Sequence, residues 1–418
     1  MIGVYRLVSA AAYLLASPVL RAKARRGDPV WRGRLLMDQP DGPVDLWIHA
    51  ASVGEARMAA ILIGHLRRIE PSVRIHVTVM TPAGYGAACE AVSSDATVSY
   101  FPIDVNRYVT ALFTRLRPRA LVIAETEIWP NLITSAAQRH IPIVLVNGRM
   151  STRAFGRYKI VRRLFSELLS RYDRFFLKSE DDLQRFAYFG VSPDKAVITG
   201  DMKFDAPLMQ RSEGRRRELR HRLGVGDDQS LLVAGSTRPG EEALLVRMFD
   251  VLRRTHPHIR LLLAPRHLDR LAEAAQTVSA AGMKVRMYGS EEHSDGEEVV
   301  LLDRMGVLTE LYTAADIAFV GGTLVELGGH NLLEPVWAGT PVLYGPSIDN
   351  VTEAAAYITR HNFGRQVTDA DELGRVLDQY LAGQLEFARK TESDLEASAT
   401  IAAVHYIAAL VKGAGVHA

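Results

Sequence analysis

The sequence predicts an α/β protein built from two doubly wound domains in tandem, behind an apolar N-terminal segment. Three observations carry that expectation. At 418 residues the chain exceeds the length at which one hydrophobic core stops growing, so two domains of about 200 residues with a cleft between them are expected. From Asp45 onward short apolar runs alternate with amphipathic stretches, the pattern of parallel strands covered by helices on both faces. The rhythm breaks over the polar stretch Asp205 to Gln229, with Arg215, Arg216 and Arg217, and then restarts. The expected organisation is an apolar segment over 1–35, a first domain over 36–205, a second over 206–385, and a C-terminal helix over 386–418 that crosses back onto the first domain.

Ile2 to Leu20 is mostly apolar, interrupted by Arg6 and Pro18, and is followed by Arg21, Lys23, Arg25, Arg26, Arg32 and Arg34. About 19 residues is the low end for crossing a bilayer. The trailing cations would keep the remainder on the cytoplasmic side and attract anionic headgroups. A cleaved signal places its positive charges before the apolar run, so a membrane anchor or interfacial helix is expected. The alternative is a helix packed on the first domain, which periodicity does not distinguish.

The strands follow in order: Leu46 to Ala50, Ile75 to Val79, Val98 to Phe101, Ala120 to Ala124, Ile143 to Val146, Phe175 to Leu177 and Ala196 to Ile198, with helices between, Gly54 to Ile69 being the longest. After the break come Leu231 to Ala234, Arg260 to Ala264, Lys284 to Arg286, Val299 to Leu302 and Ile317 to Val320. Ligands are expected at the carboxyl ends of such strands. No GxGxxG follows the first strand, so a dinucleotide fingerprint is missing. With 50 basic and 48 acidic residues the charge is nearly balanced, which argues against a nucleic-acid binder. Cys89 is the only cysteine, which excludes a disulfide framework and cysteine metal sites; among alanines it reads as a small packed residue.

The richest stretch is Phe319-Val-Gly-Gly-Thr323 followed by Gly328-Gly-His-Asn-Leu-Leu-Glu334-Pro335, a strand, glycine loop and helix start. Glycines let backbone N–H groups approach an anion, and Asn331 can cap the following helix. Glu334, one turn inside, would suit the two hydroxyls of a ribose. The alternative is an ordinary strand-to-helix turn with an acid at a favourable dipole position.

His49-Ala-Ala-Ser-Val-Gly-Glu55, Glu125-Thr-Glu-Ile-Trp-Pro-Asn131, Asn147-Gly-Arg-Met-Ser151, Gly235-Ser-Thr-Arg238, Pro265-Arg-His267 and Gly328 to Pro335 occur in this order over about residues 45 to 360. Together they resemble the 3-deoxy-D-manno-octulosonic acid (Kdo) transferases of lipopolysaccharide synthesis, which are GT-B glycosyltransferases. The resemblance implies two Rossmann-like domains facing a central cleft, and transfer of an eight-carbon acidic sugar from its cytidine monophosphate (CMP) ester to the lipid A precursor at the cytoplasmic face of the inner membrane.

It also implies that Glu55, just past a strand end, is the catalytic base; its other reading is a carboxylate complementing a helix N-terminus. Strand alternation would put Glu125 and Glu127 on one face, where a close pair raises one pKa and could pass protons; the alternative is that one simply holds an arginine or the loop before Trp129. For the donor, the resemblance implies Pro265 and Arg266, Met305, Gly306 and Val307, and Asn331, Leu332, Leu333 and Glu334. Ser236, Thr237 and Arg238 close the turn after their strand and would stabilise the leaving phosphate. Arg149 and Arg238 are candidates for the donor carboxylate.

No metal-ligand spacing stands out, and His49, His267 and His330 read as hydrogen-bond donors at loop edges, so a reaction without metal or cofactor is expected. Arg57, Arg149, Arg153, Arg157, Lys159, Arg162 and Arg163 are candidate partners for acceptor phosphates, with Met58, Phe155 and Tyr158 for acyl chains. Two rivals are a sugar-nucleotide 2-epimerase and a membrane adapter that kept the fold and lost the chemistry.

Overall fold

The apolar runs become two all-parallel sheets. The computed structural model describes the chain except for residues 39–41, 93–94, 207–211, 291–296, 392–393, 395–398 and 414–418. It divides into two compact units, Met1–Pro207 with Leu395–Ala418, and Leu208–Asp394.

In the first unit the strands are β1 (Leu46–His49), β2 (Ile75–Val79), β3 (Thr97–Tyr100), β4 (Ala120–Ala124), β5 (Ile143–Gly148), β6 (Arg174–Leu177) and β7 (Ala196–Ile198). Their order is β3-β2-β1-β4-β5-β6-β7. Every residue of β1, β2, β4 and β5 is buried, as a sheet covered on both faces requires. The second unit holds β8 (Ser230–Thr237), β9 (Ile259–Pro265), β10 (Val285–Met287), β11 (Val299–Leu301), β12 (Ile317–Val320), β13 (Val342–Tyr344) and β14 (Gly364–Gln366), ordered β10-β11-β9-β8-β12-β13-β14. Strand order reverses between β1 and β4 in one sheet and between β8 and β12 in the other. Connections leave in opposite directions there and open a crevice at the strands' carboxyl ends.

The Val53–Ile69 helix starts at Ser52, whose Oγ accepts from Glu55 N at 3.3 Å, and buries Ala56, Met58, Ala59, Leu62, Ile63 and Leu66. Met58 is thereby a core residue and is not available to an acyl chain. Into the same core the Ala399–Lys412 helix sends Ala403, Val404 and Ile407, and Asp205 Oδ2 accepts from Thr400 N at 3.2 Å and Oγ1 at 2.8 Å. Of the span 386–418 expected as this helix, residues 386–391 are irregular instead, and 392–393 and 395–398 lie outside the described residues.

Within the polar stretch, Glu213–Arg222 form a helix; few of its residues are apolar, and it is held instead by buried Arg220, which donates to Ala314 O at 3.1 Å and Asp316 Oδ2 at 3.1 Å. Two local expectations are corrected. Cys89 is exposed rather than packed, because the buried face of its Pro82–Val92 helix is Gly84, Ala88 and Val92. Ser236 and Thr237 belong to β8 itself, with a register shift beside Gly235 and a left-handed Ser236 (φ 56°), because β8 extends to pair with β9 as far as Pro265.

The N-terminal segment is a helix, Ile2–Arg25, with Ile2, Tyr13, Ser17 and Ala24 buried. Polar contacts tie it to the first unit: Tyr5 Oη donates to Asp104 Oδ2 at 2.9 Å, Arg6 reaches Asn131 Oδ1 at 3.3 Å and Gln138 Oε1 at 3.2 Å, and Tyr13 Oη meets Tyr108 Oη. The opposite side exposes Val4, Leu7, Val8, Leu14, Leu15 and Val19, Leu15 by 85%. By length and composition this helix is long and apolar enough to cross a membrane.

Candidate active site

Beyond the β1/β4 switch point lie Glu55, Glu125 and Glu127. Glu55 is buried at the third position of its helix, where Oε2 accepts from Ala51 N at 2.7 Å and Oε1 from Ser52 Oγ at 2.8 Å. It has the geometry of a capping carboxylate, yet no ion pair reaches it among the described residues. Burial pushes its pKa up, against the two hydrogen bonds; the Glu125 charge adds to the rise, and Lys203 opposes it. Glu125 follows β4 in a left-handed conformation (φ 53°), so alternation does not govern the pair as expected. Its oxygens meet Arg149 Nε at 2.9 Å and Lys203 Nζ at 3.0 Å. Glu127 accepts from Trp129 Nε1 at 3.1 Å. Burial first, then the charge of Glu55 and more weakly that of Glu125, push Glu127 up to about 7, with Trp129 opposing.

Lys203 escaped the sequence reading because it belongs to none of the motifs and its partner Glu125 lies 78 positions away. A short 3₁₀ turn holds it: Asp201 Oδ1 accepts Lys203 N at 3.0 Å, and the buried Asn147 side chain accepts Met202 N at 3.0 Å. His49 is a strand residue, fully buried against Phe101, with Nδ1 3.0 Å from Thr78 Oγ1. Burial holds its imidazole neutral down to about 3. Phe155 packs edge-on to Tyr188 and Phe189, and Tyr158 stacks on Phe165, so both rings serve the domain's own aromatic cluster. Arg57, Arg153, Arg157, Lys159, Arg162 and Arg163 are exposed.

Beyond the β8/β12 switch point a cavity of about 300 Å³ is lined by Ser236, Pro265, Arg266, Met305, Gly306, His330, Asn331 and Glu334, together with Arg304, Leu308, Thr309 and Tyr312, which sequence reasoning missed. Tyr312 forms its floor through the absence of a side chain at Gly235, where a β-carbon would stand 1.9 Å from the phenol oxygen. The other predicted donor residues are placed differently. Thr237 is buried and donates to Glu242 Oε1 at 2.9 Å, Leu332 and Leu333 are buried, and Val307 packs beside the core. Asn331 Oδ1 accepts from Leu333 N at 3.2 Å, and its Nδ2 donates to Glu334 Oε1 at 3.2 Å. The helix is only Leu333–Trp337, so Glu334 is its second residue and not one turn inside. A larger hollow of about 670 Å³, lined by Val251, Arg247 and Asp378 among others, lies away from the strand ends.

The glycine loop is not open to a phosphate. Buried Glu241 accepts from Gly322 N at 2.7 Å, Thr323 N at 3.1 Å, Leu324 N at 2.9 Å and Arg238 N at 2.9 Å. The anion that the glycines admit belongs to the protein itself: a β-carbon at Gly321 would lie 2.8 Å from Glu241 Oε2. Arg238 Nε donates to His330 Nε2 at 2.8 Å and its Nη1 to His267 Nε2 at 2.8 Å. A guanidinium only donates, so both imidazoles are acceptors here, contrary to expectation.

A family model described as 3-deoxy-D-manno-octulosonic-acid transferase (kdotransferase) matches residues 22–206. A 3-deoxy-D-manno-octulosonic acid transferase of Chlamydophila psittaci is 32% identical over 317 residues, 75% of this chain and 72% of that protein. The chain belongs to the 3-deoxy-D-manno-octulosonic acid transferase family. A bifunctional glycosyltransferase/methyltransferase of Fusobacterium nucleatum subsp. nucleatum is 35% identical over 80% of this chain, which spans 52% of that longer protein. A UDP-GlcNAc 2-epimerase of Neisseria meningitidis shares 14% identity at a TM-score of 0.52 over 88% of this chain and 97% of its own. That likeness is one of fold alone, the GT-B-like pair of parallel α/β sheets, whereas the sequence relationship is with the transferase family.

Proposed function

We propose that the chain transfers Kdo from CMP-Kdo to the lipid A precursor, with Glu55 as general base. The observation that carries this reading is a buried carboxylate that makes no ion pair among the described residues, at the first sheet's switch point, in a member of this transferase family. An acceptor hydroxyl oxygen bonds to the anomeric carbon of Kdo as the bond from that carbon to the phosphate oxygen breaks. The hydroxyl proton passes to Glu55 and the electron pair leaves with CMP. Burial raises the basicity of Glu55, which suits that role. Glu125 has its charge matched by Arg149 and Lys203, which suits it to orienting those cations.

CMP is held by the second unit's cavity. Glu334 takes the ribose hydroxyls, Met305 and Gly306 flank cytosine, and Ser236, Pro265 and Arg266 face the phosphate; Leu332 and Leu333 contribute only backbone. A single departing phosphate is balanced by arginines, so the reaction is read as metal-independent, and full transfer in a chelator is expected. Loss in EDTA restored by magnesium would overturn that. The N-terminal helix lies along the inner membrane's cytoplasmic face, its outward leucines and valines in lipid.

The test is incubation with CMP-Kdo and the lipid A precursor. A lipid mass increased by Kdo, with CMP released only when lipid is present, is expected. CMP release without lipid, or unmodified lipid, would sink the reading.

A further inference from the structure

Arg238 stands beside the donor cavity with an unusual set of partners. Both of its side-chain hydrogen bonds go to imidazole nitrogens, each at 2.8 Å, and no carboxylate pairs with it among the described residues. Glu241, the acid nearest in sequence, has each carboxylate oxygen engaged by two backbone N–H groups. No carboxylate among the described residues therefore offsets the guanidinium, and Nη2 and the second Nη1 hydrogen are left without a protein acceptor there.

The glycine loop builds this arrangement. Glu241 Oε2 accepts from both Arg238 N and Gly322 N, which ties the two clamp-bearing segments to one carboxylate. Gly322, in a left-handed conformation (φ 73°), passes so close to the His330 ring that a β-carbon there would stand 3.1 Å from Cδ2. Its carbonyl accepts Gly329 N at 2.8 Å, and that of Gly321 accepts His330 N at 3.3 Å, which fixes the backbone carrying the ring. Burial and the charges of Arg238 and Arg266 lower the pKa of His330, in keeping with a neutral acceptor.

We infer that His267 and His330 are positioning residues that hold Arg238 ready for an anionic group of the donor. The inference rests on the CMP-Kdo reading. Two donor groups share the required chemistry, the phosphodiester and the sugar carboxylate; either would take the open edge of the guanidinium by charge-assisted hydrogen bonds. Arginine suits this because its planar fork can bind two imidazoles and still present three N–H groups to an anion, where a lysine would keep only one.

The experiment compares Arg238→Gln, the double variant His267→Leu/His330→Leu and the double variant His267→Gln/His330→Gln with the unaltered protein. It measures KM and kcat for CMP-Kdo, CMP affinity by calorimetry, and a melting curve for each. Arg238→Gln is expected to raise KM by about tenfold or more, the worth of a hydrogen bond to a charged group. The leucine pair should match it at an unchanged melting midpoint, and the glutamine pair, which retains an acceptor at each position, should stay within about threefold of the unaltered protein. A parallel loss of CMP affinity assigns the anion as the phosphate; unchanged CMP affinity with raised KM assigns it as the carboxylate. KM and CMP affinity both unmoved by Arg238→Gln would overturn the clamp, and glutamine variants as impaired as the leucine ones would overturn the positioning role. If the unaltered protein transfers no Kdo, the functional reading fails, and the clamp is then judged on CMP affinity alone.

Discussion

Three glutamates at the edge of the first sheet keep different company, and that company decides what each can do. Glu125 sits between two cations, Glu127 against an indole N–H, and Glu55 against a backbone amide and a serine hydroxyl. Glu55→Gln retains the shape, and the Ser52 hydroxyl can turn to accept from the new amide, so the fold should survive. Transfer should fall a hundredfold or more, with CMP affinity and melting midpoint nearly unchanged. A variant retaining a tenth of the rate would remove Glu55 from the base role. Glu127 supplies a pH signature. Its folded pKa of about 7 lies above the ordinary 4.5, so between these values the folded state binds more protons than the unfolded one and stability falls as pH rises. Glu127→Gln cannot ionise. Its melting midpoint should match the unaltered protein's near pH 4.5 and exceed it at pH 8, and a gap that stays constant across that range would contradict the raised pKa.

At the scale of elements, the N-terminal helix presents one side to the first unit and an apolar side outward. Its buried side carries Ile2, Tyr13 and Ala24, and its polar ties run through Tyr5 and Arg6 to Asp104, Asn131 and Gln138. These ties are made along the first half of the helix, which supports the proposed reading of a helix lying in the interface. Leu7→Asp with Leu15→Asp should move the protein from the membrane to the soluble fraction without shifting the melting midpoint, since both side chains point outward. Deleting residues 1–25 should also lower that midpoint, because core side chains leave with it. Continued membrane binding by the double aspartate variant would rule out this face as the lipid contact.

For the whole molecule, the chain path matters more than either sheet alone. The first unit is closed by its last helix, so a chain ending at Asp394 should lose burial worth about 1.5–3 kcal/mol for each of Val404 and Ile407, along with the Thr400 bonds to Asp205. Calorimetry should show the first unit's transition lowered by several degrees and the second's unmoved. On the proposed reading CMP should raise the second transition and so identify it, since ligand binding stabilises the unit that holds the ligand. Equal depression of both transitions would contradict independent units.

The sequence alone determined most of the strands, their parallel pairing and the family, because these depend on apolar runs of fixed length and on motifs read in order; the edge strand β14, Gly-Arg-Gln with only Gly364 buried, carries no such run and escaped it. It also pointed to Glu55 and to the residues around Glu334, since strand ends in such sheets are where ligands bind. Tertiary structure decided the partners. Lys203 reaches Glu125 across 78 positions, and Glu241 fills the amides of a glycine loop 81 to 83 residues away, contacts that no local pattern encodes. For the same reason the glycine loop reads in sequence as a phosphate cradle and is in space the seat of an internal carboxylate: backbone amides attract an anion, and only the fold says which anion arrives first.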